Sequence, residues 1–176
     1  MDKLLTVVIP SYNVEKFLNQ TLDSFVCDEA VMKKFEVIVV DDGSKDNTAK
    51  IGKEYADKYP DTFRVISKEN GGHGSTINCG IRNAVGKYFK VVDGDDWVNT
   101  ADFVKLVEDL EKTESEYVFT NYYEYYDDVN RQKSVDFPQF KDGTEYDFAD
   151  VANKVYIPMH ALVIKTSVLK DNNIVI

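Results

Sequence analysis

The chain has 176 residues, 43% hydrophobic and 12% aromatic, enough for one well-packed domain and too few for a second full one. Its 31 acidic and 21 basic residues leave a formal charge of −10, which disfavours a nucleic-acid backbone or an anionic membrane surface as the main partner. No stretch reaches transmembrane length, no apolar leader follows Met1, and Cys27 and Cys79 lack CxxC or Cys/His companions. A zinc site or disulfide framework is therefore not indicated, and two reduced thiols in a cytoplasmic protein are expected.

Leu4-Leu5-Thr6-Val7-Val8-Ile9 reads as a first strand, stopped by Pro10 because proline has no N–H and a fixed φ. After Ser11-Tyr12, Asn13 is placed to cap a helix whose Val14, Phe17, Leu18, Thr21, Leu22 and Phe25 recur at helical spacing and should face inward. Phe35-Glu36-Val37-Ile38-Val39-Val40 is a second, nearly all-apolar strand that ends in Asp41-Asp42-Gly43-Ser44. Asp46, Asn47 or Thr48 then caps a helix carrying Ile51, Tyr55 and Tyr59 on one face.

Phe63-Arg64-Val65-Ile66-Ser67 makes a third strand, and the loop from Lys68 to Thr76 opens a helix with Ile77, Ile81, Ala84 and Val85 inward. The fourth strand, Tyr88-Phe89-Lys90-Val91-Val92, runs into Asp93-Gly94-Asp95-Asp96-Trp97. Residues 100–112 form a helix with Phe103, Leu106, Val107 and Leu110 inward, and Trp97 is expected to pack in the core against it, with walling of a pocket as the alternative. A long tyrosine-rich strand is predicted over 116–126, an irregular hairpin or excursion over 127–147, a strand at Ala161-Leu162-Val163-Ile164 and a short helix near 167–172. Four strands alternating with helices specify an α/β fold with a mainly parallel sheet covered on both faces.

The acids at the strand ends carry the chemistry. Three carboxylates within four positions raise one another's pKa unless a cation sits among them, and hard oxygen ligands suit Mg²⁺ or Mn²⁺. A motif this short also fits a solvated acidic turn. The glycine-rich loop Gly71-Gly72-His73-Gly74-Ser75-Thr76 lacks the Walker lysine and follows the third strand; it also has Ile77 where a dinucleotide fingerprint needs a small residue, so it reads as a helix N-terminus able to attract an anion or as a plain turn. Calcium hands are excluded by Trp97 and Lys53 at ligand positions.

Taken jointly, "VVIPSYN", "VIVVDDGSKDNT", "NGGHGSTIN" and "GKYFKVVDGDDW" resemble the family 2 glycosyltransferases of the GT-A fold, over roughly residues 4–110. That resemblance implies uridine held by Pro10, Tyr12 and Asp42, with Lys68 and Asn70 approaching the nucleotide. It also implies that Asp93, Asp95 and Asp96 match the DxD-type signature: Asp93 and Asp95 towards the nucleotide, Asp95 and Asp96 towards Mg²⁺ or Mn²⁺. Asp41 is expected only to shape its turn, His73 to serve as a loop hydrogen-bonder or a ligand contact, and His160 to be structural.

The implied activity is inverting, metal-assisted transfer of a sugar from a nucleotide diphosphate, a UDP-sugar, to a carbohydrate or lipid-linked acceptor. Its setting would be cell-envelope polysaccharide biosynthesis, with peripheral association at the inner face of the membrane left open. Residues 1–112 would be the donor-binding half and 113–176 the start of an acceptor-side half within one GT-A-like domain, the chain being an amino-terminal fragment. The general base is not assigned: Asp171 reads as an ordinary solvated acid, and it and the acids from Asp127 to Asp150 become candidates only if the chain transfers sugar by itself. A metal-dependent nucleotidyltransferase fits less well because Ser11-Tyr12-Asn13 is not basic, and a receiver-like or other non-catalytic nucleotide-binding module because the first strand ends in Pro10-Ser11 rather than paired acids.

Overall fold

A computed structural model describes residues 3–126, 131–152 and 155–176. Eight strands and seven helices occur among them: β1 (Leu5–Ser11), α1 (Leu18–Asp23), α2 (Glu29–Met32), β2 (Phe35–Asp41), α3 (Thr48–Lys58), β3 (Phe63–Ser67), α4 (His73–Asn83), β4 (Tyr88–Val91), α5 (Thr100–Leu110), β5 (Tyr117–Phe119), β6 (Tyr122–Tyr126), β7 (Arg131–Val135), α6 (Phe148–Ala152), β8 (Leu162–Lys165) and α7 (Thr166–Asp171). Six strands form one sheet in the order β3-β2-β1-β4-β8-β5, and β6 pairs with β7 in a second. Strands β3, β2, β1 and β4 are mutually parallel, while β8 runs antiparallel between β4 and β5.

The two-residue period of the apolar strands explains how both faces are filled. Leu5, Val7, Ile9, Val37 and Val39 pack with Leu18, Leu22, Phe25, Phe103 and Val107 of α1, α5 and their flanks. Val8, Ile38, Val40, Phe89 and Val91 turn to the other face, against Ile77 and Ile81 of α4 and Leu169 of α7. Phe103 sits edge-on to both Phe25 and Phe35, with centroids 5.0 and 5.1 Å away.

Four local expectations are corrected. Strand β1 continues through Pro10, which stands opposite Val40 of β2. Its carbonyl accepts from Gly94 N–H on the β4 side, so the missing N–H also faces that side, where β4 has already ended and no ladder bond is lost. Helix α1 begins after Phe17, not at Asn13, whose φ of 55° is left-handed; Phe17 is 46% exposed.

Val85, expected inward, is 64% exposed because α4 stops at Asn83. The predicted strand over 116–126 is broken in two: Thr120 donates to the Ala161 carbonyl at 2.9 Å and Asn121 accepts from Phe137 N–H at 3.3 Å. The chain thereby leaves the main sheet and starts the β6–β7 hairpin, a hairpin as expected but beginning at Tyr122 rather than after the predicted strand; residues 127–130 lie outside the described residues.

One buried carboxylate, unremarked in the sequence, ties the amino ends of the strands together. Glu36 on β2 accepts from Thr6 Oγ1 at 2.6 Å, from Val85 N–H at 2.9 Å and from Arg64 Nε at 2.9 Å. Glu36→Ala strips all three donors of their partner. It should cost roughly 2–4 kcal/mol, less than for a fully enclosed pair because the Arg64 side chain is 38% exposed. Urea unfolding should show a lower midpoint at an unchanged slope.

Candidate nucleotide and metal site

The strand order reverses direction at β1, flanked by β2 on one side and β4 on the other. That switch point opens a crevice at the carboxyl ends of the strands, where ligands of such sheets bind. Four loops converge there, following β1, β2, β3 and β4, and each is bonded to its neighbours.

The first and second loops interlock through Asn13. Its N–H donates to Ser44 Oγ at 3.0 Å and its Oδ1 accepts from Lys45 N–H at 2.8 Å. That is why Asn13 adopts a left-handed turn rather than a helix cap. Val14 N–H donates to Thr48 Oγ1 at 2.9 Å, and Asp46 rather than Asn47 supplies the oxygen that receives Thr48 N–H, at 2.9 Å. Asp41 accepts from Ser44 N–H at 3.1 Å, the turn-shaping role expected of it.

Asp42 joins the second loop to the third. It is 2% exposed; Oδ1 accepts from Lys68 Nζ at 2.5 Å and Gly71 N–H at 3.0 Å, and Oδ2 from Gly72 N–H at 2.8 Å. Burial alone would push this carboxyl up, but the Lys68 bond, the two glycine N–H bonds and the Lys68 charge outweigh it and hold the group below the ordinary carboxylate range. Three of the roughly four acceptor positions of a carboxylate are thus taken. Lys68 also donates to the Glu69 carbonyl and to Ser75 Oγ, so its ammonium is absorbed by the loop. Tyr12, 49% exposed, and Asn70, also exposed, stand open at the crevice.

The first and fourth loops meet at Gly94. A Cβ there would lie 2.9 Å from Val14 Cγ2, 3.0 Å from Ser11 Oγ and 3.1 Å from the Pro10 carbonyl, so only glycine lets the acidic loop lie this close to β1. Gly94 also donates to Pro10 and accepts from Thr21 Oγ1 at 3.0 Å. The third and fourth loops meet where His73 Nε2, on the first residue of α4, lies 2.7 Å from Asp93 Oδ1, which makes His73 a loop hydrogen-bonder in this structure.

Asp93 is therefore engaged, while Asp95 and Asp96 are exposed. Partial removal from water, with Asp95 and Asp93 close by, pushes the Asp96 carboxyl above the ordinary carboxylate range, and His160 partly offsets this. A bound cation would reverse that repulsion. Among the described residues no three His, Cys, Asp or Glu side chains are placed to hold a metal by themselves. Two exposed carboxylates fit a hard cation of the Mg²⁺ type, which takes one or two protein carboxylates and completes its shell with water and phosphate oxygens.

One participant, Lys90, was not singled out in the sequence. Lys90, in the middle of an apolar strand, is buried; its Nζ donates to the His160 carbonyl, and burial pushes the amine down to about 8. It thereby holds the turn that sets His160 beside Asp96 and edge-on to Tyr122, with ring centroids 4.6 Å apart. A lysine interrupting an otherwise apolar run was the available signal. Trp97 does not pack in the core as expected: it is 41% exposed and meets Tyr125 of the β6–β7 hairpin with centroids 5.3 Å apart.

The fold is found again in S. aureus TarS 1–349, which superimposes with a TM-score of 0.81 and 27% identity, over 98% of this chain and 50% of that one. The same protein in complex with UDP-GlcNAc matches with a TM-score of 0.77 and 25% identity, over 98% of this chain and 48% of that one. These likenesses define an α/β protein of the GT-A glycosyltransferase fold. The model of Glycosyl transferase family 2 matches residues 6–171, and the chain belongs to that family.

Among curated relatives, the uncharacterized glycosyltransferase EpsJ of Bacillus subtilis (strain 168) is 37% identical over 123 residues, 70% of this chain and 35% of that protein. The minor teichoic acid biosynthesis protein GgaB of the same organism is 33% identical over 111 residues, 63% of this chain and 12% of that protein. The chain thus spans about half the length of TarS 1–349, and its matches cover 35% and 12% of these two curated relatives. No described helix is long and apolar enough to cross a membrane.

Proposed function

We propose that this chain provides the nucleotide-diphospho-sugar site of a glycosyltransferase that uses a UDP-sugar, with Mg²⁺ or Mn²⁺ held at the Asp95–Asp96 edge. The observation that carries the reading is the ring of four mutually bonded loops at the β1–β4 switch point, with an aromatic ring open on one side and two unengaged carboxylates on the other. TarS, a family relative by fold, is solved with UDP-GlcNAc, which favours uridine as the base.

In this reading Tyr12 stacks on the base from the Pro10 corner. Asp42 offers the base N–H its remaining acceptor position while its other bonds keep Lys68 to Gly72 in place. Asn70 and Asp93 approach the ribose and phosphates, and α4 presents its amino end to the diphosphate. The metal supplies charge neutralisation for the departing diphosphate. In the reaction the bond between anomeric carbon and diphosphate oxygen breaks, the acceptor oxygen bonds to that carbon from the opposite side, and a base on the acceptor side takes the hydroxyl proton. Direct displacement of this kind inverts the anomeric centre. Asp171 lies on α7 and is exposed, which makes it an ordinary surface acid; Asp127 lies outside the described residues, and the base is left unassigned. The GgaB relative supports a cell-envelope polymer as the setting.

Calorimetric titration with UDP, GDP, CDP and ADP, each with and without Mn²⁺, tests the reading. UDP should bind tightest and the metal should strengthen it. Equal affinities for all four nucleotides, or UDP binding indifferent to metal, would overturn it.

A further inference from the structure

The β6–β7 hairpin has two unlike faces. On one, Tyr126 stacks under Arg131 at 4.9 Å, its hydroxyl donates to Glu124 at 2.8 Å, and Glu124 pairs with Lys133 at 3.4 Å. Tyr122 on that side packs against His160 and Phe137. Those side chains satisfy one another. The opposite face carries Tyr123 and Tyr125, 55% and 44% exposed, and the strand register sets Ser134 and Gln132 directly across from them. Both partners are exposed as well.

Trp97 extends this face into the site. It follows Asp96 directly in the chain, and its ring meets Tyr125 at 70°, so the two rings make a corner, not a flat plate. Exposed aromatic rings contiguous with a crevice mark a binding surface more often than a solvated one. Its composition selects the ligand. Among the described residues of this face no side chain is cationic, which disfavours a nucleic acid. Hydroxyl and amide groups rather than further apolar side chains surround the rings, and the face adjoins the crevice proposed for the sugar donor, which favours a saccharide over a protein partner. Ring faces interleaved with hydroxyl and amide groups suit a pyranose, whose C–H face packs on the electron-rich aromatic face while its hydroxyls need hydrogen-bonding partners.

We propose that Trp97, Tyr123 and Tyr125, with Gln132 and Ser134, form a saccharide-binding platform that seats the acceptor glycan beside the donor site. The proposal rests on the glycosyltransferase reading for the word acceptor, but its binding test is independent of it. Trp97 is the sole tryptophan of the chain, so at fixed UDP and Mn²⁺ a change in its emission on adding a glycan reports on this corner of the molecule.

The experiment titrates the full chain, with UDP and Mn²⁺ present, with three soluble probes: the β-1,4-linked tetramer of N-acetylglucosamine, cellotetraose and maltotetraose. At least one should change Trp97 emission saturably. Tyr125→Ala and, separately, the more peripheral Tyr123→Ala should each weaken that binding about fivefold while leaving calorimetric UDP affinity unchanged. Having two variants guards against one failing to fold. No saturable change with any of the three glycans overturns the platform, as does a change indifferent to both tyrosine substitutions. Trp97 emission that shifts with protein concentration in step with dimer formation would assign the face to a second copy and also overturn it. Failure of UDP binding with retained glycan binding would sink the donor reading and leave the platform standing.

Discussion

Replacing Asp95 and Asp96 together by alanine should remove most of the affinity that Mn²⁺ or Mg²⁺ adds to UDP binding, about tenfold or more, and leave the fold unchanged. Both side chains are exposed, so neither contributes a buried contact whose loss would unfold the loop. Partial removal from water, with the Asp95 and Asp93 charges adding to it, holds the Asp96 carboxyl above its ordinary range, and removing two of three like charges should stabilise the loop slightly if anything. A diphosphate brought to the same loop meets that negative charge directly, and a cation between them converts repulsion into attraction. Calorimetry on wild type and variant, with and without metal, gives the comparison. A variant that keeps the full metal-dependent gain would move the metal elsewhere in the crevice.

Asp42→Ala should do two things at once: destabilise the chain by about 2–3 kcal/mol and weaken UDP binding by more than tenfold. The stability loss follows from three bonds to one buried carboxylate, softened because the Gly71 and Gly72 N–H groups lie on an exposed loop and can turn to water. The affinity loss follows because Lys68, Asn70 and the start of α4 are positioned through that carboxylate. The pH dependence has a definite sign. The folded carboxyl titrates below its unfolded value of about 4, so its contribution is fully present above that value and is lost as pH falls through the folded pKa. Wild type should therefore lose more stability than Asp42→Asn between neutral pH and the acid limb, and the two unfolding curves should converge there. An alanine variant with wild-type stability and wild-type UDP affinity would show that Asp42 neither holds the loop nor serves the base.

Much of this molecule is local physics. The apolar runs at residues 5–9, 35–40 and 88–92 could only be buried strands, and the acids that follow β2 and β4 had to emerge at one edge once right-handed crossovers made those strands parallel. The acidic loop, the glycine-rich loop and the tyrosine after Pro10 were legible for that reason, as was the family, whose signature lies in the joint order of those loops. The β8 strand shows the limit. Its residues plainly favour extended structure, yet its insertion, antiparallel, between β4 and β5 depends on pairing with segments about 45 and about 75 residues away, which no local pattern encodes.

Side-chain roles divide along the same line. Periodicity and backbone restriction determined which residues lie at the crevice, because both act within a few positions of the chain. Which of them are already engaged was decided only by tertiary structure. Asp42 is held by Lys68, Gly71 and Gly72 from another loop, Asp93 by His73, and Asn13 by Ser44 and Lys45. Pro10 stays in its strand because a neighbouring strand has ended beside it, and Trp97 faces outward because a hairpin from beyond α5 supplies its partner. A hydrogen bond or ring contact depends on positions in space that are brought together by the whole fold, so the sequence by itself determined where the chemistry stands, and only the packed structure decided which groups are left free to perform it.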